Sequence, residues 1–227
     1  MRILSFMNVS NPDRISTDSG WIFYNLLGRE FVKQGHDFTF AAPVNLDKFE
    51  QPPSAANDHG RFEFFPIDFG KTKYEVRFSF PYREAKEAIK NADPDIIIVN
   101  QLEVARNISA ALKDVGSTAK IVSYAHYIPW WFNGTFSIDP SQDHNGISEE
   151  VIDAFLDGIG RSSLVFTHSK TSYDFLTKGI AWLAEQNPKY KYLLDNDNYR
   201  ILPPPYDPVL YSQNVGPRNT SDVIYNH

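Results

Sequence analysis

The chain has no cysteine among its 227 residues. That one absence excludes disulfide scaffolds, thiolate metal sites and cysteine nucleophiles. It also fits the cytoplasmic location expected here. Long apolar runs are missing too. The opening stretch Met1 to Met7 meets polar Asn8 before it reaches signal-peptide length, and no segment has the continuous apolar length needed to span a bilayer. Positive charge is not in excess: 22 Lys and Arg stand against 28 Asp and Glu, for a net charge of −6. This excludes a protein built as one large basic surface. It leaves room for a local groove lined by Arg14, Lys71, Lys73, Arg77 and Arg83. The glycine-rich phosphate loops are absent as well. No Gly-x-Gly-x-x-Gly follows the first apolar run and no Gly-Lys-Ser/Thr occurs, which disfavours dinucleotide oxidoreductases and P-loop enzymes. The six histidines show no helical pair of the kind that binds zinc, and Ser169 lacks the Gly-x-Ser-x-Gly elbow of a hydrolase.

What is there is an ordinary globular composition, 42% hydrophobic and 22% charged, with aromatics raised to 15%. The chain alternates strand patterns with helix patterns. Short apolar runs at Ile3–Met7, Asp37–Ala42, Arg61–Ile67, Asp95–Val99, Lys120–Tyr124, Leu164–Thr167 and Tyr199–Leu202 predict strands. Between them, residues at helical spacing predict helices over Trp21–Lys33, Tyr82–Asn91, Leu102–Val115, Ser148–Ile159 and Lys170–Lys178. Gly35, Gly116 and Gly179 stand where helices should stop. Strands that alternate with helices imply a mostly parallel sheet covered on both faces, an α/β doubly wound, Rossmann-like domain. Ligands of such sheets bind outside the carboxyl ends of the strands. That points to Asn8–Gly20, Asn100–Glu103, His126–Asn133 and His168–Ser169, with 126–133 read as a loop.

Three domain-level units are expected. Residues 1–207 form the Rossmann-like domain, and 208–221, rich in Pro, Asn and Gly, form a linker. Asp222–His227 opens a new strand that is not completed, so a C-terminal domain is expected to be missing.

The ordered motifs resemble the N-terminal, acceptor-side half of GT-B glycosyltransferases of the family-4-like type. They are a first strand and a polar loop ending Ser19-Gly20, then Gly35-His36-Asp37-Phe38-Thr39 before the second strand. Pro94-Asp95-Ile96-Ile97, Ser123-Tyr124-Ala125-His126, Thr167-His168-Ser169 and Tyr199-Arg200-Ile201-Leu202-Pro203 follow. The resemblance covers nearly the whole chain. It departs in having one glycine in the first loop where the family commonly has a pair, and in lacking the paired glutamates of the donor half.

The resemblance implies a transferase that passes a sugar from a nucleotide-sugar donor to an acceptor hydroxyl with retention. It implies no metal or other cofactor, and catalysis completed by the missing C-terminal domain. His126 is the implied catalytic residue, hydrogen-bonded to the transferred sugar. Ser19 and Gly20 are the implied donor contacts, since a helix start offers free N–H groups to phosphate. Asn100, Gln101, Tyr127, Trp130, Trp131 and Ser169 are the candidate acceptor contacts. Amides and hydroxyls suit sugar hydroxyls, and aromatic rings suit sugar faces or exposed bases.

Each residue also has a plainer reading: a satisfied structural histidine at 126, a turn glycine at 20, helix caps at Asn100 and Ser169, and aromatics at Tyr127 and Trp130–Phe132 that pack the sheet edge or the missing domain. The acceptor stays open among glycans, small molecules and modified DNA. The Tyr-x-His and His-Ser motifs also resemble phage DNA glucosyltransferases acting on hydroxymethylated bases. A reading of another class is a non-enzymatic Rossmann-like module that binds a sugar or nucleotide or docks a partner.

Overall fold

A computed structural model describes residues 1–7, 19–44, 56–57, 60–68, 80–138 and 148–203. Residues 8–18 of the expected loop Asn8–Gly20, Arg14 among them, with Lys71, Lys73 and Arg77, the linker 208–221 and the segment 222–227, lie outside the described residues, and the last two residues of that loop, Ser19 and Gly20, are instead helical.

Seven strands occur where the apolar runs predict them. They are β1 (Arg2–Phe6), β2 (Asp37–Val44), β4 (Gly60–Asp68), β5 (Ile96–Val99), β6 (Lys120–Tyr124), β9 (Leu164–Thr167) and β10 (Tyr199–Ile201). A two-residue strand, β3 (Ala56–Asn57), pairs antiparallel with β4 at the sheet's edge; the other seven strands run parallel. The sheet order is β10-β9-β6-β5-β1-β2-β4-β3. Strand β1 therefore sits between β2 and β5, and chain order reverses there. This is the topological switch point of a doubly wound sheet.

The helices are α1 (Ser19–Lys33), α2 (Tyr82–Ala92), α3 (Leu102–Val115), α4 (Ser148–Arg161) and α5 (Lys170–Gln186), the last followed by a 3-10 helix, Pro188–Leu193. The spacing that makes α3 a helix also buries it: Leu102, Ala105, Ile108 and Leu112 all turn inward. Gly116 then ends it in the left-handed conformation (φ 71°), its N–H bonded back to the last-turn carbonyls.

The two faces of the sheet are covered unequally. On one, Leu4, Phe6, Ile97, Val99 and Ile121 meet α2 and α3, and Ala125 and Val165 meet α4 and α5. On the other, Ile3, Phe38, Phe40, Ile98 and Tyr124 meet α1, the one described helix packed there. Beside α1 this second face leaves an apolar hollow of about 350 Å³ over β5, β6 and β9.

Two expectations are corrected. Gly179 does not end a helix, because α5 runs on to Gln186. Its missing side chain makes room for Trp130, whose indole a Cβ at 179 would strike. And 126–133 is not all loop: β7 (Trp130–Phe132) and β8 (Phe136–Ile138) pair as an antiparallel hairpin. Its turn carries Gly134 at φ 76°, a conformation that glycine adopts freely.

Candidate functional site

The carboxyl ends of β1, β5, β6 and β9 lie side by side, and the chain segments leaving them carry most of the candidate residues. After β5 comes Asn100, only 6% exposed, its N–H donating to the Phe6 carbonyl at 3.3 Å, so it bridges the two strands of the switch point. Gln101, in extended conformation, is the N-cap residue of α3. The cap is therefore not Asn100, and it uses no side-chain bond. Glu103 follows in the first turn of α3 at 2% exposure. Sequence reasoning did not single it out, because an acidic side chain in a first helical turn is an ordinary partner of the helix dipole. Only its burial marks it. Asn100, Gln101, Glu103, His126 and Tyr127 are all engaged in interactions.

After β6 comes His126. Its ring centroid lies 4.6 Å from that of Tyr124 and 5.5 Å from that of Phe23, while Phe23 and Tyr124 are themselves 4.6 Å apart. Phe23 stands in α1 one turn after Ser19 and Gly20, the helix's first two residues. The same contacts that hold His126 thus bring the N-terminal end of α1 beside it. Tyr124 is buried, and its hydroxyl donates to the Leu202 carbonyl at 2.9 Å. Loss of water pushes its phenol up to about 12. After β9, His168 approaches the same ring, 6.0 Å between centroids. Burial pushes His168 below its ordinary value, which keeps it neutral at pH 7.

The remaining candidates separate. Tyr127 is half-buried, its ring edge-on to Phe155 at 6.1 Å. Trp130 is a core residue, 2% exposed. It packs edge-on against Phe155 at 5.5 Å and donates its indole N–H to the Phe175 carbonyl at 3.3 Å. The expectation that it stacks on an acceptor is thereby corrected, because its faces are already covered. The backbone of Trp131 belongs to β7; its side chain, like that of Ser19, lies outside the described residues. Ser169 is the N-cap of α5, its Oγ accepting from the Ser172 N–H at 3.1 Å, so the cap reading holds for it. Arg83, from the basic set, is on the outer side of α2 in an ion pair with Glu87 at 3.3 Å.

Among the described residues no three His, Asp or Glu side chains are grouped to hold a metal ion. No described helix is long and apolar enough to cross a membrane.

No protein-family profile matches the chain, and no curated protein matches its sequence. Solved structures do match its shape. OtsA in its apo form aligns over 97% of this chain and 53% of its own, with 11% identity and a TM-score of 0.52. Anabaena HepE, solved with UDP and glucose, aligns over 93% and 46%, with 12% identity and a TM-score of 0.50. An alpha-glucosyltransferase solved with UDP and a 13-mer DNA aligns over 92% and 42%, with 19% identity and a TM-score of 0.44. The first two carry the assignment: the chain has the α/β, Rossmann-like fold of one half of the GT-B architecture. It spans about half the length of the solved structures it matches.

Proposed function

We propose that the chain is the acceptor-side half of a glycosyltransferase. It would move a sugar from a nucleotide-sugar donor to an acceptor hydroxyl, with retention of configuration, in the cytoplasm. A second domain would supply most of the donor pocket. The observation that supports this best is the placing of His126. It lies at the carboxyl end of β6, beside the start of α1 and next to the switch-point strands, in a fold whose structural neighbours are about twice as long. One of those neighbours holds UDP and glucose.

In this reading the first-turn amides of α1, at Ser19 and Gly20, face the donor diphosphate, since unpaired N–H groups and the helix dipole favour an anion. His126 hydrogen-bonds a hydroxyl of the transferred sugar. Asn100 and Gln101, with Tyr127, orient the acceptor; Ser169 stays with its helix. The bond from anomeric carbon to phosphate oxygen breaks and the bond to the acceptor oxygen forms. The acceptor proton passes to the departing phosphate oxygen, and no group of this chain takes up net charge. No metal or other cofactor is assigned a role.

The test is transfer of labelled sugar from UDP-glucose by the product of the complete reading frame. The acceptors offered are a glycan panel, small-molecule glycosides and hydroxymethylcytosine DNA. Label is expected on one acceptor class. His126→Ala is expected to lower turnover about a hundredfold or more, the usual scale for a positioned polar group that acts in the transition state. Absence of donor hydrolysis and of transfer to every acceptor, across several nucleotide sugars, would sink the enzymatic reading in favour of a binding module.

A further inference from the structure

The hairpin of β7 and β8 carries a row of aromatic rings from α5 out to solvent. It is anchored by Trp130, whose indole fills the notch at Gly179 of α5. Its register sets Phe132 opposite Phe136, and the two rings touch, with centroids 4.9 Å apart. Phe136 in turn lies nearly parallel to Trp182 of α5, at 5.8 Å and 25°, and stands 5.8 Å from Phe175. Phe175, Phe136 and Trp182 are half-buried against the core, but Phe132, at the outer end of the row, is 58% exposed. Single exposed apolar side chains are common on protein surfaces; a ring that continues a contiguous aromatic row marks a binding surface. The turn beyond it is open as well. Asn133, Gly134 and Thr135 are exposed, and a Cβ at Gly134 would meet nothing within 4 Å.

We propose that Phe132, Phe136 and Trp182 form a platform for a neutral glycan chain, so that the acceptor is a polymer of sugars. This rests on the glycosyltransferase reading and names its acceptor class. Charge selects the occupant. Residues 130–138 carry no charged side chain, and the flanking part of α5 exposes one of each sign, Lys178 and Glu185. A nucleic acid needs cations against its phosphates, and none is in excess here. Aromatic rings accept the C–H face of a pyranose, and the uncharged amide of Asn133 and hydroxyl of Thr135 suit its hydroxyl groups. The platform is also continuous with the candidate site. Tyr127 and Trp130 both pack on Phe155, and the six residues from His126 to Phe132 span at most about 20 Å. A chain of several sugar units covers that distance. Held on the platform, it keeps its reacting end at a raised local concentration beside His126.

The test is calorimetric titration of the full chain, without donor. The probes are maltohexaose, cellohexaose, mannohexaose and N-acetylchitohexaose, the monosaccharide of each, and a single-stranded DNA oligomer. At least one hexasaccharide is expected to bind about tenfold or more tighter than its own monosaccharide, and tighter than the DNA. Phe132→Ala is expected to weaken that hexasaccharide about tenfold, the scale of one lost aromatic contact. Because Phe132 is exposed, this variant should keep the fold, which its urea midpoint checks. Phe132→Tyr, which keeps the ring, should stay within about threefold of the wild type.

The proposal is overturned if no hexasaccharide outbinds its monosaccharide, if Phe132→Ala binds as the wild type does, or if DNA is the tighter ligand. It is also overturned if sedimentation shows a dimer that Phe132→Ala dissolves, since the rings then meet a second copy. Hexasaccharide binding that Phe132→Ala weakens, in a protein whose complete reading frame transfers no sugar, leaves the platform standing and removes the glycosyltransferase reading. Transfer to single-sugar glycosides by a protein that holds no hexasaccharide does the reverse.

Discussion

The two faces of the sheet teach different things. The face under α2, α3, α4 and α5 is closed: Ile97, Val99, Ile121 and Val165 are at most 4% exposed. The face under α1 is closed over β1 and β2 but open over β5, β6 and β9, where Ile96, Val122, Leu164 and Phe166 are only partly covered. His126 and His168 both lie near the ring of Tyr124, which belongs to this second face. Stability is therefore concentrated on one side of the sheet and the candidate chemistry on the other. A site needs accessible surface, and a core cannot leave any.

Adjacent residues of β5 test this most directly. Ile97→Ala on the closed face should cost about 3 to 5 kcal/mol, because it leaves a cavity that packed neighbours cannot fill. Ile96→Ala, the same substitution one residue earlier on the open face, should cost about 1 to 2 kcal/mol, because less surface returns to water and little cavity forms. Urea unfolding of the two variants measures both. Equal losses would mean that the hollow is closed in solution.

A smaller effect is expected at Gly179. Gly179→Ala puts a methyl group against the Trp130 indole. It should cost about 1 to 3 kcal/mol of overpacking, with a change in tryptophan fluorescence as the hydrogen bond to Phe175 is lost. A helix stabilised by the added alanine, with fluorescence unchanged, would return Gly179 to its role as a plain breaker.

The smallest effect belongs to His168. The fold holds its imidazole below the ordinary value of 6.5, so as pH falls the unfolded chain takes up that proton first. Stability should be level above about pH 6.5 and decline as the pH drops from there toward the lowered folded value. His168→Gln should flatten that part of the profile. A wild-type urea midpoint that falls between pH 7 and pH 5.5 no more than the variant's would show that burial does not reach this ring.

Much of this was legible beforehand because it is local. The Ile96–Val99 run reads as a central strand since every position in it is apolar, and Leu102–Val115 reads as a helix since its apolar positions fall on one side. His126 and Ser169 could be placed at strand ends from the same patterns. Trp130 could not be placed correctly. Its neighbours Trp131 and Phe132 make it look like part of an exposed aromatic loop, and only contact with Gly179 and Phe155, from other segments, shows it to be core. Gly179 was misread for the matching reason, since a glycine inside a helix pattern looks like a stop until the indole that fills its place is seen. Glu103 falls at the end of the segment Asn100–Glu103 that the strand-end rule marks, but its burial has no local signal.

The sequence by itself determined the order and type of the main strands and helices, and with them the α/β class and the edge where a ligand would sit. The two periodicities, 2.0 for a strand and 3.6 for a helix, are properties of the local chain. Tertiary structure alone decided which aromatics are core, which face of the sheet stays open, and that His126 and His168 both lie near the ring of Tyr124. Those outcomes depend on which strands become neighbours and on how far one slides along the other, since a one-residue slip turns every side chain of a strand to the opposite face.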